Sequence, residues 1–391
     1  MSFLSTFRNE AKLILTNFAI MLTIIGGVVL YSVLYPQPYL NQSVSELSVS
    51  VVDYDKSNVS RDLIFNLNAT AQMVITRHDL SENDAKEALL RGDIKGIIII
   101  PKDFKKDLAL SKSPAIAVGA DSTYFLIFGA VVEGAMKAIL TQSATIKVAN
   151  LLKKEVPLAS AKDAYTPYTL KVINLFNKDN SYIQYVIPAV FILILQQTML
   201  IGMGILSGEI NERMGRREDE YFKVAPVWQM FLSRFIIFGS IYFILMLFYF
   251  GFIFDYYEVT RLANISDLLT FGIAFLFASL SFGLFLGSLL ANSEAATPIV
   301  LFSSLPLVFA AGFIWPLESL PDVIHTLSLL APSTPGIYGF VGLNQLGADF
   351  DMIVDSYAIL WLQTLVYLGL AYFISVKKRN AFYAQVEKVD L

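Results

Sequence analysis

The sequence contains no cysteine, which excludes a disulfide framework, a thiol nucleophile and any cysteine-based zinc site. Histidine is almost as scarce. His78 and His325 stand far apart, with no partner at metal-ligand spacing, so neither is expected to hold a metal. Charged residues make up only 16% of the 391 residues and the net charge is -4, which leaves no overall basic field for nucleic acid. No G-x-x-x-x-G-K-[ST] loop is present, so the chain has no recognisable cradle of its own for ATP phosphates. G-x-S-x-G and H-E-x-x-H are missing too, and no enzymatic function is expected. The long apolar runs also lack ionisable residues in their interiors, where a charge is costly and marks an ion or proton path. Arg234 lies near the end of one run and is expected to snorkel to the interface.

What the sequence has is apolar side chain: 55% of residues are hydrophobic and the mean hydropathy is +0.58, more than a soluble protein of this length could bury. Runs over residues 13–34, 183–206, 229–254, 268–290, 295–315 and 356–376 predict six membrane spans, five of them in the second half of the chain. The first is too long for a signal peptide and no small-x-small cleavage site follows it. Tyr31, Tyr35 and Tyr39 fit an interfacial belt at its far end. Arg213, Arg216, Arg217, Lys223 and Arg234 follow the second run, and Lys377, Lys378, Arg379 and Lys388 follow the last. The residues 317–355 contain neither Lys nor Arg, so both termini are predicted to be cytoplasmic.

The predicted fold is an α-helical integral membrane protein of six transmembrane helices with an inserted mixed α/β extracytoplasmic domain. Residues 1–12 read as a cytoplasmic interfacial amphipathic helix and 13–35 as the first span. The domain occupies 36–181: residues 47–52 alternate like a half-buried strand, 96–100 read as a fully buried one, and 115–118 as a third. A helix capped at Ser81 and stopped at Gly92, and another over 125–154, supply its α component. Residues 182–376 hold the five later spans, with a densely charged cytoplasmic helix at 207–226 and an apolar, Pro-broken outer re-entrant segment at 316–345. A cytoplasmic tail, 377–391, closes the chain.

Several features admit two readings. Gln196 and Gln197 either line a polar path or bond between helices. The aromatics that crowd the third span either line a greasy path or face lipid, and Gly283 with Gly287 permits close helix contact without identifying a dimer face. The charged stretch 207–226 is either a solvated face or the grip of a motor that this chain lacks.

One stretch is more specific. It runs Gly312-Phe313-Ile314-Trp315-Pro316-Leu317-Glu318-Ser319-Leu320-Pro321, then Ala331-Pro332-Ser333-Thr334-Pro335-Gly336 and Leu343-Asn344-Gln345. Together with the order of one interfacial helix, one span, a large domain and five spans, it resembles the type 2 family of ABC exporter permeases. Many members carry a Gly-Thr pair in the cytoplasmic connection; here Gly215 is followed by Arg216. The resemblance implies two permeases, identical or paired homologues, above two ABC ATPase subunits that bind ATP and Mg, with no cofactor on this chain. It implies ATPase coupling through Glu209, Glu212, Arg213, Arg216, Arg217 and Glu218. Gln196, Gln197, Phe313, Trp315 and Pro316 would form a substrate path and outer gate. It further implies a bacterial inner-membrane exporter of drugs, lipids or peptides, in some systems with a periplasmic membrane-fusion adaptor. A proton-coupled secondary exporter and a non-transport receptor or scaffold are the alternatives. Both use the same spans without a borrowed ATPase.

Overall fold

A computed structural model describes residues 2–40, 45–110, 112–121, 125–155, 157, 158, 160, 181–216, 221, 224–315 and 319–387. The chain divides into two compact units, Ser43–Ile173 and the remainder, Met1–Gln42 with Asn174–Leu391.

The unit Ser43–Ile173 is built on a four-stranded sheet of order β2-β1-β3-β4. Its strands are β1 (Leu47–Asp53), β2 (Met73–His78), β3 (Gly96–Ile100) and β4 (Ala117–Ala120). β1 pairs parallel with β2 and β3, and β3 pairs antiparallel with β4. Parallel neighbours need crossover helices. For the helices of this unit and those that follow, numbering begins with α1 (Phe3–Thr16) and α2 (Phe18–Tyr39). The unit then contributes α3 (Asn58–Asn68), α4 (Glu82–Arg91), α5 (Phe104–Ala109) and α6 (Phe125–Leu152). α4 starts where Ser81 Oγ accepts from the Asp84 N–H and stops at Gly92, whose φ of +81° lies in the left-handed region open to glycine.

The alternation over 47–52 predicts one wet face for β1, and the structure differs. Val49 and Val51 pack with Leu63, Leu67 and Val131 of α3 and α6, while Val52 packs with Ala85 and Ala88 of α4. A central parallel strand is covered on both faces. Its polar Ser50 is buried by donating to Asp79 Oδ2 at 2.7 Å, and Arg77 Nη2 donates to Asp79 Oδ1 at 2.8 Å. The Arg77 hydrogen bond, opposed by partial desolvation and helped by Ser50, holds the Asp79 carboxyl below the ordinary carboxylate range.

The other unit is helical. After α2 come α7 (Tyr182–Arg216), α8 (Val227–Tyr256), α9 (Ile265–Leu289), α10 (Ala296–Ala310), α11 (Asp322–Ser328), α12 (Ser333–Gln345) and α13 (Val354–Glu387). Among the described residues, five segments are long and apolar enough to cross a membrane: Phe18–Tyr39, Val186–Met214, Val227–Tyr256, Ile265–Leu289 and Phe350–Ala381. The sixth predicted span, 295–315, forms a helix only over Ala296–Ala310, a rise of about 22 Å against a hydrocarbon core of ~30 Å. Gly312, at φ +83°, takes the chain out of it.

α7 is the central helix, almost wholly buried along its apolar window and packed against α2, α9, α10 and α12. At 35 residues it rises about 52 Å, roughly 20 Å more than a bilayer core requires. The stretch 207–216 is therefore a continuation of the second span rather than the start of a separate surface helix. Ser207, Gly208 and Ile210 are buried in it. A Cβ on Gly208 would lie 2.3 Å from the carbonyl oxygen of Asn292, so only glycine permits this approach.

α11 and α12 form a hairpin inside the helical unit. Gln363 Nε2 of α13 donates to the Leu329 carbonyl at 2.6 Å, the Tyr367 hydroxyl to that of Leu330, and Gln196 Nε2 of α7 to Ser333 Oγ at 3.1 Å. These bonds satisfy backbone and hydroxyl groups where the hairpin turns in an apolar bundle. α12 then lies on α9 through its glycines. A Cβ at Gly339 would stand 2.1 Å from Phe271 Cζ, and one at Gly336 2.6 Å from Phe275 Cδ2.

Candidate functional site

Two places in the helical unit gather the polar residues that bear on function. The first is the end where α1, α7 and α8 meet. On α1, Thr6, Glu10 and Ile14 recur at four-residue spacing and are all fully buried, so this helix presents a partly polar stripe to its neighbours. Glu10 accepts from Arg234 Nε at 2.9 Å and Nη2 at 3.2 Å, and from the Tyr221 hydroxyl at 3.2 Å. Thr6 Oγ1 donates to Gln229 Oε1 at 3.0 Å. Arg234 does not snorkel: its side chain is 5% exposed against a Glu10 that is 0% exposed. A guanidinium near the end of a span is stable there because a two-pronged carboxylate replaces its water.

Asn17 breaks the chain between α1 and α2 and ties both to α7. Its Oδ1 accepts from the Ile20 N–H at 3.1 Å, capping α2, and its Nδ2 donates to Glu209 Oε2 at 3.0 Å. Glu209 also pairs with Arg213 one turn further along α7. Asn211 Nδ2 donates to the Leu290 carbonyl at 2.7 Å at the end of α9, and Arg379 Nη1 of α13 to the Ala225 carbonyl at 3.1 Å. Hydrogen bonds thus tie this end of α7 to the junction of α1 and α2 and to the end of α9.

Of the predicted coupling residues, Glu209 and Arg213 are brought together, and half-buried Glu212 joins neither partner. The Arg216 side chain, Arg217 and Glu218 lie outside the described residues. Glu10, Asn17, Tyr221, Gln229 and Arg234 were not singled out by sequence reasoning as site residues. The signal for Glu10 was present as an acid on the same helical face as Thr6 and Ile14.

The second place is the middle of α7. Gln196 spends its amide N–H on Ser333, but its Oε1 has no partner among the described residues, and neither has either amide atom of Gln197. Thr334 on α12 and Ser279 and Ser281 on α9 likewise carry buried hydroxyls without a partner among those residues. Buried amides and hydroxyls in an apolar bundle are costly unless hydrogen-bonded, so each of these groups needs a polar partner, ordered water included. Phe313 is buried in the main apolar core while Trp315 is exposed, and Pro316 is outside the described residues. No cluster of His, Cys, Asp or Glu among the described residues is arranged to hold a metal ion.

No curated protein matches the chain. A family model described as ABC-2 family transporter protein matches residues 18–373, from the start of α2 into α13. That span takes in the unit Ser43–Ile173 and most of the helical unit, with Glu209 and Gln196 though not α1 or Asn17, and the chain therefore belongs to the ABC-2 family of transporter proteins, as a membrane subunit that works with an ABC ATPase.

Proposed function

We propose that this chain is the permease subunit of an ATP-driven exporter that moves amphiphilic or hydrophobic substrates, drugs, lipids or peptides, out of the cytoplasm or the inner leaflet. The observation that carries the reading is the clasp: Glu209 linked at once to Arg213 and to Asn17, beside the buried Glu10–Arg234 pair. A motor subunit touching the end of α7 would move α1, α2 and α8 together with it. In this reading both termini are cytoplasmic and α10 is a short sixth span completed by the residues that follow it. The unit Ser43–Ile173 lies outside the cytoplasm, in position to receive substrate or dock a periplasmic adaptor. A second permease, identical or homologous, would complete the path past Gln196 and Gln197. ATP and Mg belong to the two ATPase subunits, and the membrane is the bacterial inner membrane.

Co-expression with its ATPase subunit tests this. The expected outcome is a complex that survives purification and hydrolyses ATP in lipid vesicles, with transport that persists when the proton gradient is collapsed. A chain that never associates with an ATPase, or transport that stops with the gradient while ATP is plentiful, contradicts the reading.

A further inference from the structure

A groove runs along the flank of the helical unit between α8 and α13, floored by α9. Leu232, Ile236 and Phe243 form one wall, Leu365 and Tyr372 the other, and Phe277 part of the floor. The space it encloses is about 1070 Å³. Along α8 the lining extends from Trp228 to Ile244, a rise of about 24 Å, longer than the ~15 Å of one hydrocarbon leaflet. The lining is mostly apolar. Its Ser240 hydroxyl is taken up by the Ile236 carbonyl of its own helix, at 2.7 Å. Small residues that line such walls usually let helices close on one another. Here Gly369 has nothing within 4 Å of where a Cβ would stand, and at Gly239 the first neighbour is Leu280 Cδ1 at 3.6 Å, so the walls remain apart.

Near one end of the groove its walls meet at the edge-on ring pair Phe231–Tyr372, with centroids 6.3 Å apart. Phe231 also lines a smaller cleft, whose other walls include Arg234, Ser375, Lys378 and Arg379, and no Asp or Glu is among its lining residues. Arg234 is neutralised by Glu10. Arg379 gives Nη1 to a carbonyl while its buried Nε has no partner among the described residues, and Lys378 makes no ion pair among them. Among the described residues, two cations without an acid therefore stand about two helical turns beyond an aromatic pair near the end of an acyl-sized groove.

We propose that this flank binds an anionic phospholipid, one acyl chain in the α8–α13 groove and the phosphate against Lys378 and Arg379. The chain supplies the apolar contact and the head group supplies the charge that the cleft lacks. A zwitterionic lipid offers the same chain but brings its own cation to the two already present. A second copy of the protein fits less well, because the groove lining offers no acid of its own to meet them.

Native mass spectrometry of the full-length protein in detergent, with phosphatidylglycerol or phosphatidylcholine added, reads the site directly. Phosphatidylglycerol should be retained about thirtyfold better, the order expected from two basic side chains at ~1 kcal/mol each. Lys378→Gln with Arg379→Gln should remove that preference, and Gly369→Trp, which fills open space, should lower retention of both lipids. Inorganic phosphate alone should not replace the lipid. Equal retention of the two lipids by the wild type overturns the proposal, as does a preference unchanged in the double variant or competition by free phosphate alone. Unchanged lipid preference together with loss of ATPase association in the double variant would instead assign the cations to the motor interface. If Gly369→Trp does not fold, the charge variant alone decides.

Discussion

At the residue scale the informative pair is Glu10 with Arg234. They are 224 positions apart, and nothing in local composition announces that one answers the other. Hydropathy places Arg234 near the end of a span and predicts that it reaches for water; the fold brings a buried acid to it instead. Removing either partner leaves a charge uncompensated in a dry site, at a cost of ~3–5 kcal/mol, whereas replacing both with apolar residues is often near neutral. Glu10→Leu or Arg234→Met should therefore each lower the melting temperature of the purified protein sharply, and the two together should lower it much less than their sum. Additive losses in that double-mutant cycle would mean that the two charges are not coupled in the folded protein.

At the element scale, the helices and strands with strong periodicity were legible and their environments were less so. The helix stopped at Gly92 and the buried strand over 96–100 follow from caps and apolar runs, and both are present. β2 and α3 were not singled out. Met73–His78 alternates with charged and polar residues, and only its parallel pairing with β1 gives it a place in the sheet. The two-sided burial of β1 escaped the alternation rule because Ser50 looks solvent-facing until Asp79 is seen beside it. That carboxylate carries a pH signature. Its folded pKa lies below its unfolded value, so its contribution is fully present above about pH 4 and is lost as the pH falls through the folded value. Hydrogen exchange in β1 and β2, corrected for its intrinsic pH dependence, should show protection falling in acid for the wild type and a flatter profile for Asp79→Asn. The helix α12 makes a second prediction, through two glycines with opposite surroundings. Gly339→Ala drives a methyl into Phe271, whose ring is already engaged with Phe340 and Tyr357, and should cost ~1–3 kcal/mol. Gly369→Ala on α13 meets open space and should be neutral or stabilising by up to ~1 kcal/mol. Thermal melts of the two variants would separate these outcomes, and equal effects would argue against the packing of α12 on α9.

At the scale of the whole molecule, the absence of a phosphate loop and of charges deep in the spans already pointed to a borrowed motor, and the match over residues 18–373 assigns the family that uses one. What composition alone could not convey is how force would enter. The charged stretch reads as a surface helix between spans because charges and a following Pro226 are what local sequence offers. Its first ten residues are instead the rigid end of a 35-residue helix, and Asn17, which capping rules could have flagged, joins that end to the first span. Gln196 and Gln197 were visible as polar residues in a span, but Ser333, 137 positions from Gln196, was not visible as its partner. The central claim is that this clasped end of α7 transmits ATP hydrolysis to the spans. It is tested most directly in the complex with its ATPase, reconstituted in vesicles, by measuring hydrolysis and the ATP-dependent movement of a fluorescent amphiphile side by side. With Arg213, Arg216 and Arg217 all reversed to Glu, insertion and hydrolysis should persist while movement of the amphiphile is lost; movement at the wild-type rate would contradict the account.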